Sequence, residues 1–252
     1  MNRFDHRRRP RFFQKQKQTE EFTITWNGKQ VKAHGSKKLY DLLMEFKSVK
    51  YSQTQVQNKD NRIVRKLQSQ YGTFDKTNML FAQMQFKGQK VILDSMLTEI
   101  DTIFFQNRLQ PIVDKIDIIF STLESGIAGS TTILKNTVLI EINLLQFIAW
   151  FNVLKGQRKQ SIGTENCDSI LKCMLKTLQH ELVHAICILC SPTLYVDGKR
   201  IGTVGTLNLN GDNSNAATGH STWYMDLLRD IFGQKNDFHD NYTYRQKAKL
   251  RV

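Results

Sequence analysis

Residues 175–190, LKTLQHELVHAICILC, decide how this chain is read. Two histidines stand four apart in an apolar run, with a glutamate directly after the first. Positions four apart on a helix differ by about 40° in azimuth, so His180 and His184 project from one face, one turn apart. Two imidazoles so placed can hold the same Zn²⁺ ion. Glu181, one residue further round, stands beside such an ion without competing as a ligand. The spacing suits the activation of water, because the metal lowers its pKa and the glutamate carries the proton. With six His and eight Glu in 252 residues, HExxH arises by chance in roughly one such chain in two hundred. That rarity weighs against the bland readings, a structural zinc or two satisfied core histidines.

A third ligand sets the subclass. In the metzincin spacing HExxHxxGxxH, the glycine and the last histidine fall on Cys187 and Cys190, which excludes that group. No glutamate follows Glu181, which excludes a downstream Glu ligand. His220 and His239 are the two later histidines, and an Asp or Cys190 stays open as an alternative. His220 opens a predicted helix, GHSTWYMDLLRDIFG (219–233), where an imidazole can be aimed at a neighbouring helix; His239 sits in polar NDFHDN (236–241) and reads as a surface residue. Cys187, one turn beyond His184, reads as a small buried hydrophobe. Trp223, Tyr224 and Phe232 read as core, and nothing singles out Tyr224 or Tyr195 as an oxyanion donor.

Outward from this helix, the N-terminal side begins with EFTITWNGKQVKAHG (21–35), which alternates apolar and polar residues around Asn27-Gly28, a hairpin signal. KKLYDLLMEFKSV (37–49) has helical spacing, KYSQTQVQNKDNR (50–62) reads as a loop, and a short helix is expected near 61–70. Residues 20–85 are therefore expected to form a small α+β appendage after a basic, disordered arm at 1–19. In 91–109, Ile92, Met96, Ile100, Ile103 and Phe104 share one helical face. Three strand-like runs follow at 115–122, 128–134 and 137–143, then a helical run at 144–154 and a polar loop at 157–169. Asp168 or Ser169 is placed to cap the long helix. Asp197-Gly198 marks a second hairpin before a long Gly/Asn-rich surface loop. Short links between the strands favour an antiparallel α+β domain over a doubly wound fold.

Composition bounds the rest. A chain with 40% hydrophobic and 10% aromatic residues can bury a real core. No apolar run is read as long enough to span a bilayer, and no apolar segment follows the basic start as in a secretory signal. Four clustered cysteines point to a reducing compartment. The net charge of +13 is concentrated at the ends: residues 1–18 hold seven Lys/Arg and one Asp, and residues 241–252 hold four Lys/Arg and no acid. Such tails suit nucleic acid first, then an anionic surface or an assembly partner.

At this point the residues resemble the SprT-like metalloprotease domain, the catalytic module of Spartan-type proteases. The carriers are TLQHELVHAI (177–186) and GHSTWYMDLLRDIFG, in which the third histidine, His220, is followed three positions on by an aromatic, Trp223. LTEIDTIFFQNRL (97–109) is similar to the family's first helix, and IIFSTLESGIAGSTT (118–132) to its strand pair around Ala128-Gly129. The resemblance covers about 93–233, within a domain expected at 90–235 and followed by a basic tail at 236–252. It implies a zincin-like α+β fold with a small antiparallel sheet packed on helices, zinc at His180, His184 and His220, and Glu181 as general base. It also implies cleavage of DNA-associated proteins, in an intracellular, nuclear or DNA-associated setting without a membrane. Ser221 replaces the usual glycine, residues 185–219 make a long interval, and no zinc ribbon follows. These departures resemble SprT-like proteins of large DNA viruses or protists. The alternative expectation is a catalytically idle SprT-fold component of a virion or other large assembly, docking through its basic tails. A nuclease is disfavoured, because one Glu with three His lacks the carboxylates of two-metal sites.

Overall fold

The computed structural model describes residues 19–72, 90–124, 126–134, 137–147, 160–162, 165–205 and 220–234. Strands β1 (Glu20–Trp26) and β2 (Lys29–Gly35) form the expected hairpin, with positive φ at both Asn27 (50°) and Gly28 (75°). Their alternation sends Ile24, Trp26, Val31 and Ala33 into the core. Helix α1 (Lys37–Ser48) starts at Ser36, whose hydroxyl accepts from Leu39 N, and it buries Tyr40, Leu43 and Phe46.

Helix α2 (Gln53–Tyr71) corrects the sequence reading, because the expected loop and short helix are one 19-residue helix. A capping box starts it: Ser52 Oγ accepts from Gln55 N at 3.3 Å, and Gln55 Oε1 accepts from Ser52 N at 2.8 Å. Its buried stripe is Val56, Asp60, Ile63, Val64 and Leu67. The spacing is helical throughout, but a carboxylate stands at the second position and breaks the apolar pattern.

Helix α3 (Lys90–Ile100) runs into a π-helical turn, Asp101–Phe105, and Gln106 and Asn107 end it at positive φ. The Asp101 carboxylate accepts from Leu109 N at 2.9 Å and so secures the exit. Strands β3 (Ile116–Ser121), β4 (Gly129–Leu134) and β5 (Thr137–Asn143) then form a sheet in the order β3-β5-β4. β4 and β5 are antiparallel, but β3 and β5 run parallel, which departs from the expected antiparallel arrangement. The physical reason is that the chain bypasses the central place, makes β4 at the edge, and returns through β5. Asn143 anchors the crossing: its Nδ2 donates to the carbonyls of Leu123, Glu124 and Ile127, and its backbone N–H to Ala128 O at 2.9 Å.

Part of the expected polar loop at 157–169 is a short hairpin, β6 (Gln160–Ile162) with β7 (Glu165–Cys167). Ser169 caps helix α4 (Ile170–Cys190), accepting from Lys172 N at 3.3 Å. This helix is long and apolar enough to cross a membrane by length and composition, which the sequence reading denied. Here 83% of its apolar window is buried inside the fold, so it is accounted for as the central core helix. Strands β8 (Thr193–Val196) and β9 (Lys199–Thr203) turn at Asp197 (φ 50°) and Gly198 (φ 75°), the second predicted hairpin. Helix α5 (Thr222–Phe232) begins at the cap Ser221 and ends at Gly233 (φ 68°), whose N–H reaches Arg229 O.

The described part of the expected 20–85 appendage, residues 20–72, is joined to the later elements by strand pairing and packing. β2 pairs with β8, giving one antiparallel sheet β1-β2-β8-β9. Trp26 stacks on Trp223 with ring centroids 6.1 Å apart, and Phe46 meets Phe105 edge-on at 4.7 Å. At the centre, fully buried Lys176 on α4 pairs with Asp60 on α2 at 2.6 Å. Gln179 Nε2 donates to the other Asp60 oxygen at 2.7 Å, and Lys176 Nζ donates to Phe232 O at 3.2 Å, closing the end of α5. One buried network thus ties three helices together. The architecture is mixed α+β, a small antiparallel sheet and a three-stranded sheet around α4.

Candidate metal centre

Helix α4 and the entry of α5 build the site. His180 and His184 leave one face of α4 as the spacing predicts; His180 is buried and His184 half-buried. His220, also buried, stands just before the Ser221 cap. One ring nitrogen from each of the three lies within 4.8 Å of the others, and His184 Nε2 and His220 Nε2 are 3.1 Å apart. A tetrahedral ion with bonds of about 2.0–2.1 Å needs its nitrogens about 3.3 Å apart, so the His184–His220 pair stands near that bite and the trio could hold a metal ion. Among the described residues this is the one group of three or more such side chains that can hold an ion. Cys190 and the described aspartates are not in that group, and Asp212, Asp237, Asp240, His239 and the basic tails lie outside the described residues.

Two contacts deliver His220 across the long interval. The Ser221 hydroxyl accepts from Tyr224 N at 3.1 Å and donates to Gly205 O at 2.6 Å. Gly205 and Ser221 thus pin the two ends of segment 206–219 together. Gly205 itself sits against the end of α4, where an added Cβ would lie 2.8 Å from Cys187 O and 2.5 Å from Ser191 Oγ. The serine that departs from the resembled pattern is therefore the clasp.

Glu181 is 6% exposed and faces β4. Its Oε2 accepts from the Thr131 hydroxyl at 2.7 Å, and that hydroxyl also lies 3.1 Å from the Glu181 carbonyl. Burial pushes the carboxyl up to about 7, and the Thr131 hydrogen bond opposes that rise. A divalent cation alongside would favour the ionised form. Gly129 explains the Ala-Gly pair in the sequence: a Cβ there would lie 2.9 Å from Glu181 Cγ and 2.8 Å from Thr177 Cγ2. Only a residue without a side chain lets β4 approach α4 this closely.

Neither tyrosine considered from sequence is placed as an oxyanion donor. Tyr195 lies on β8 against His34, ring centroids 4.5 Å apart, and Tyr224 is committed to the histidines, its hydroxyl donating to His180 O at 3.2 Å. Trp223 points elsewhere, stacked on Trp26 with the Lys47 ammonium 3.8 Å from its ring centre. Cys187 and Cys190 are buried thiols; burial raises Cys187, and raises Cys190 to about 12, so both stay protonated. Thr131 and the Ser221 clasp were missed from sequence. The Gly-Ser-Thr-Thr run opening β4, hydroxyls after an unhindered glycine, was the available signal for Thr131. No family model, curated protein or solved structure matches this chain.

Proposed function

We propose that this chain is a zinc-dependent endopeptidase of the SprT-like type that acts on DNA-associated proteins. The convergence of His180, His184 and His220, with Glu181 next to them in sequence and on the same helix, carries the reading. Three imidazoles near a tetrahedral edge suit zinc, with a fourth position left for water or substrate. When bound, zinc supplies Lewis-acid polarisation of a carbonyl and lowers the pKa of water. With Thr131 at Oε2, Glu181 Oε1 takes the proton from water and returns it to the leaving amine. Among the described residues β4 is an edge strand in the order β3-β5-β4, so its outer backbone groups could pair with an extended peptide passing Glu181.

The nucleic-acid part of the reading rests on charge. Besides the basic ends, the exposed positions of α2 carry Arg62, Arg65 and Lys66 among amides and hydroxyls, with no acid. Lys66 pairs with Glu99, and among the described residues no ion pair engages Arg62 or Arg65, which suits contact with phosphate. The competing reading, an assembly protein whose zinc is structural, draws on the burial of Glu181.

Metal analysis beside a DNA-stimulated self-cleavage assay separates the two. Near-stoichiometric zinc is expected in wild type and in Glu181→Gln, with cleavage about 10²–10⁴-fold lower in the variant. Equal cleavage by both sinks the mechanism. Zinc without any wild-type cleavage favours the assembly protein.

A further inference from the structure

Tyr224 is fully buried, yet its polar and aromatic parts both point at the histidines. Its ring lies 4.2 Å from His184 at an interplanar angle of 26°, and 4.4 Å from His220 at 12°. Those two imidazoles are 20° from parallel with each other, centroids 4.9 Å apart. His180 stands edge-on to the group, at 73° to Tyr224 and 82° to His220. The Tyr224 hydroxyl donates to the His180 backbone carbonyl, so one side chain touches all three histidine residues. Its own backbone is fixed as well, because its N–H caps onto Ser221.

The outer torsion of a histidine is broad and roughly two-fold, so a ring without packing can sweep its Nε2 through a wide arc. His220 has the greater need of restraint, since it precedes the helix cap and no helical backbone holds it. A flat ring lying against both imidazoles blocks that rotation. Two nitrogens 3.1 Å apart are then held close to the bite of an ion. We infer that Tyr224 is the positioning residue of the metal centre, setting the ring planes of His184 and His220 through its aromatic face, while its hydroxyl registers α5 on α4. The inference rests on the reading of the trio as a metal site and adds what tunes its affinity.

The experiment compares Tyr224→Phe, which keeps the ring, with Tyr224→Leu, which removes it, in the full chain. The zinc dissociation constant is measured by competition with a chromophoric chelator. The visible d–d spectrum of the cobalt(II)-loaded protein reports ligand geometry, and circular dichroism of the metal-free forms checks folding. Tyr224→Phe is expected to bind within about threefold of wild type with an unchanged cobalt spectrum. Tyr224→Leu is expected to bind about 10–100-fold more weakly, as for other residues that orient metal ligands, with shifted bands. Wild-type affinity and spectrum in Tyr224→Leu overturn the inference while leaving the metal site standing. A loss in Tyr224→Phe of tenfold or more also overturns it, since the hydroxyl and not the ring face would then set the ligands, and this arm can overturn the inference even if the leucine variant does not fold. A wild-type chain that takes up no zinc overturns the metal reading and the inference with it.

Discussion

Helix α4 buries polar side chains in two consecutive turns, and the two groups are completed differently. At Lys176 and Gln179 the chain supplies its own counterpart: Asp60 comes from α2, and its two oxygens meet the ammonium and the amide. At His180, Glu181 and His184 the chain gathers a third imidazole, and Thr131 gives Glu181 a hydroxyl. No Lys or Arg among the described residues forms an ion pair with Glu181. The first group is closed by protein charges and holds helices together. The second concentrates three imidazoles, a hydroxyl and one carboxylate, an environment that a cation completes.

This contrast can be broken most forcefully at Asp60. Asp60→Ala leaves the Lys176 ammonium buried without its partner, and a loss of about 3–5 kcal/mol is expected in urea unfolding. Replacing Asp60 and Lys176 together by Leu and Met is expected to recover most of it, because matched apolar pairs tolerate such sites. A pair whose double replacement is as damaging as the single one would show that the network does more than hold helices. The histidine group should respond to metal instead. With free zinc at a hundred times its Kd, the native state gains about 2.7 kcal/mol. Chelation is therefore expected to lower the Tm of wild type and to leave that of His184→Ala unmoved; equal shifts in both would place the stabilising ion elsewhere. Gly129→Ala sharpens the comparison with a smaller effect. Its methyl would crowd Thr177 and Glu181, so a stability loss of about 1–3 kcal/mol is expected. Zinc content should stay at the wild-type level while cleavage falls, and unchanged cleavage would mean that Glu181 can shift without consequence.

What the sequence made legible were the features encoded by neighbours. Asn27-Gly28 and Asp197-Gly198 fix their own backbone angles, and His180, Glu181 and His184 are related by one helical turn. What it hid depended on distant partners. The Gln-rich run at 50–62 reads as a loop because its stripe holds only Val56 and a carboxylate, and Asp60 belongs to a buried face only once Lys176, far along the chain, is seen to pair with it. The same buried lysine, with Glu181 and the histidines, disguised α4 as too polar to reach membrane-spanning length. The parallel pairing of β3 with β5 follows from which strand takes the middle place, and no local pattern states that. His220 was chosen by residue type and helix entry, but its arrival at α4 depends on Gly205 meeting Ser221.

That meeting has a consequence for how the chain can vary. Because Gly205 and Ser221 touch, the path from α4 to His220 is short in space whatever number of residues intervenes between them. The place of His220 is thus set by the Gly205–Ser221 contact, and a substitution that breaks this contact is expected to detach a histidine that it never touches.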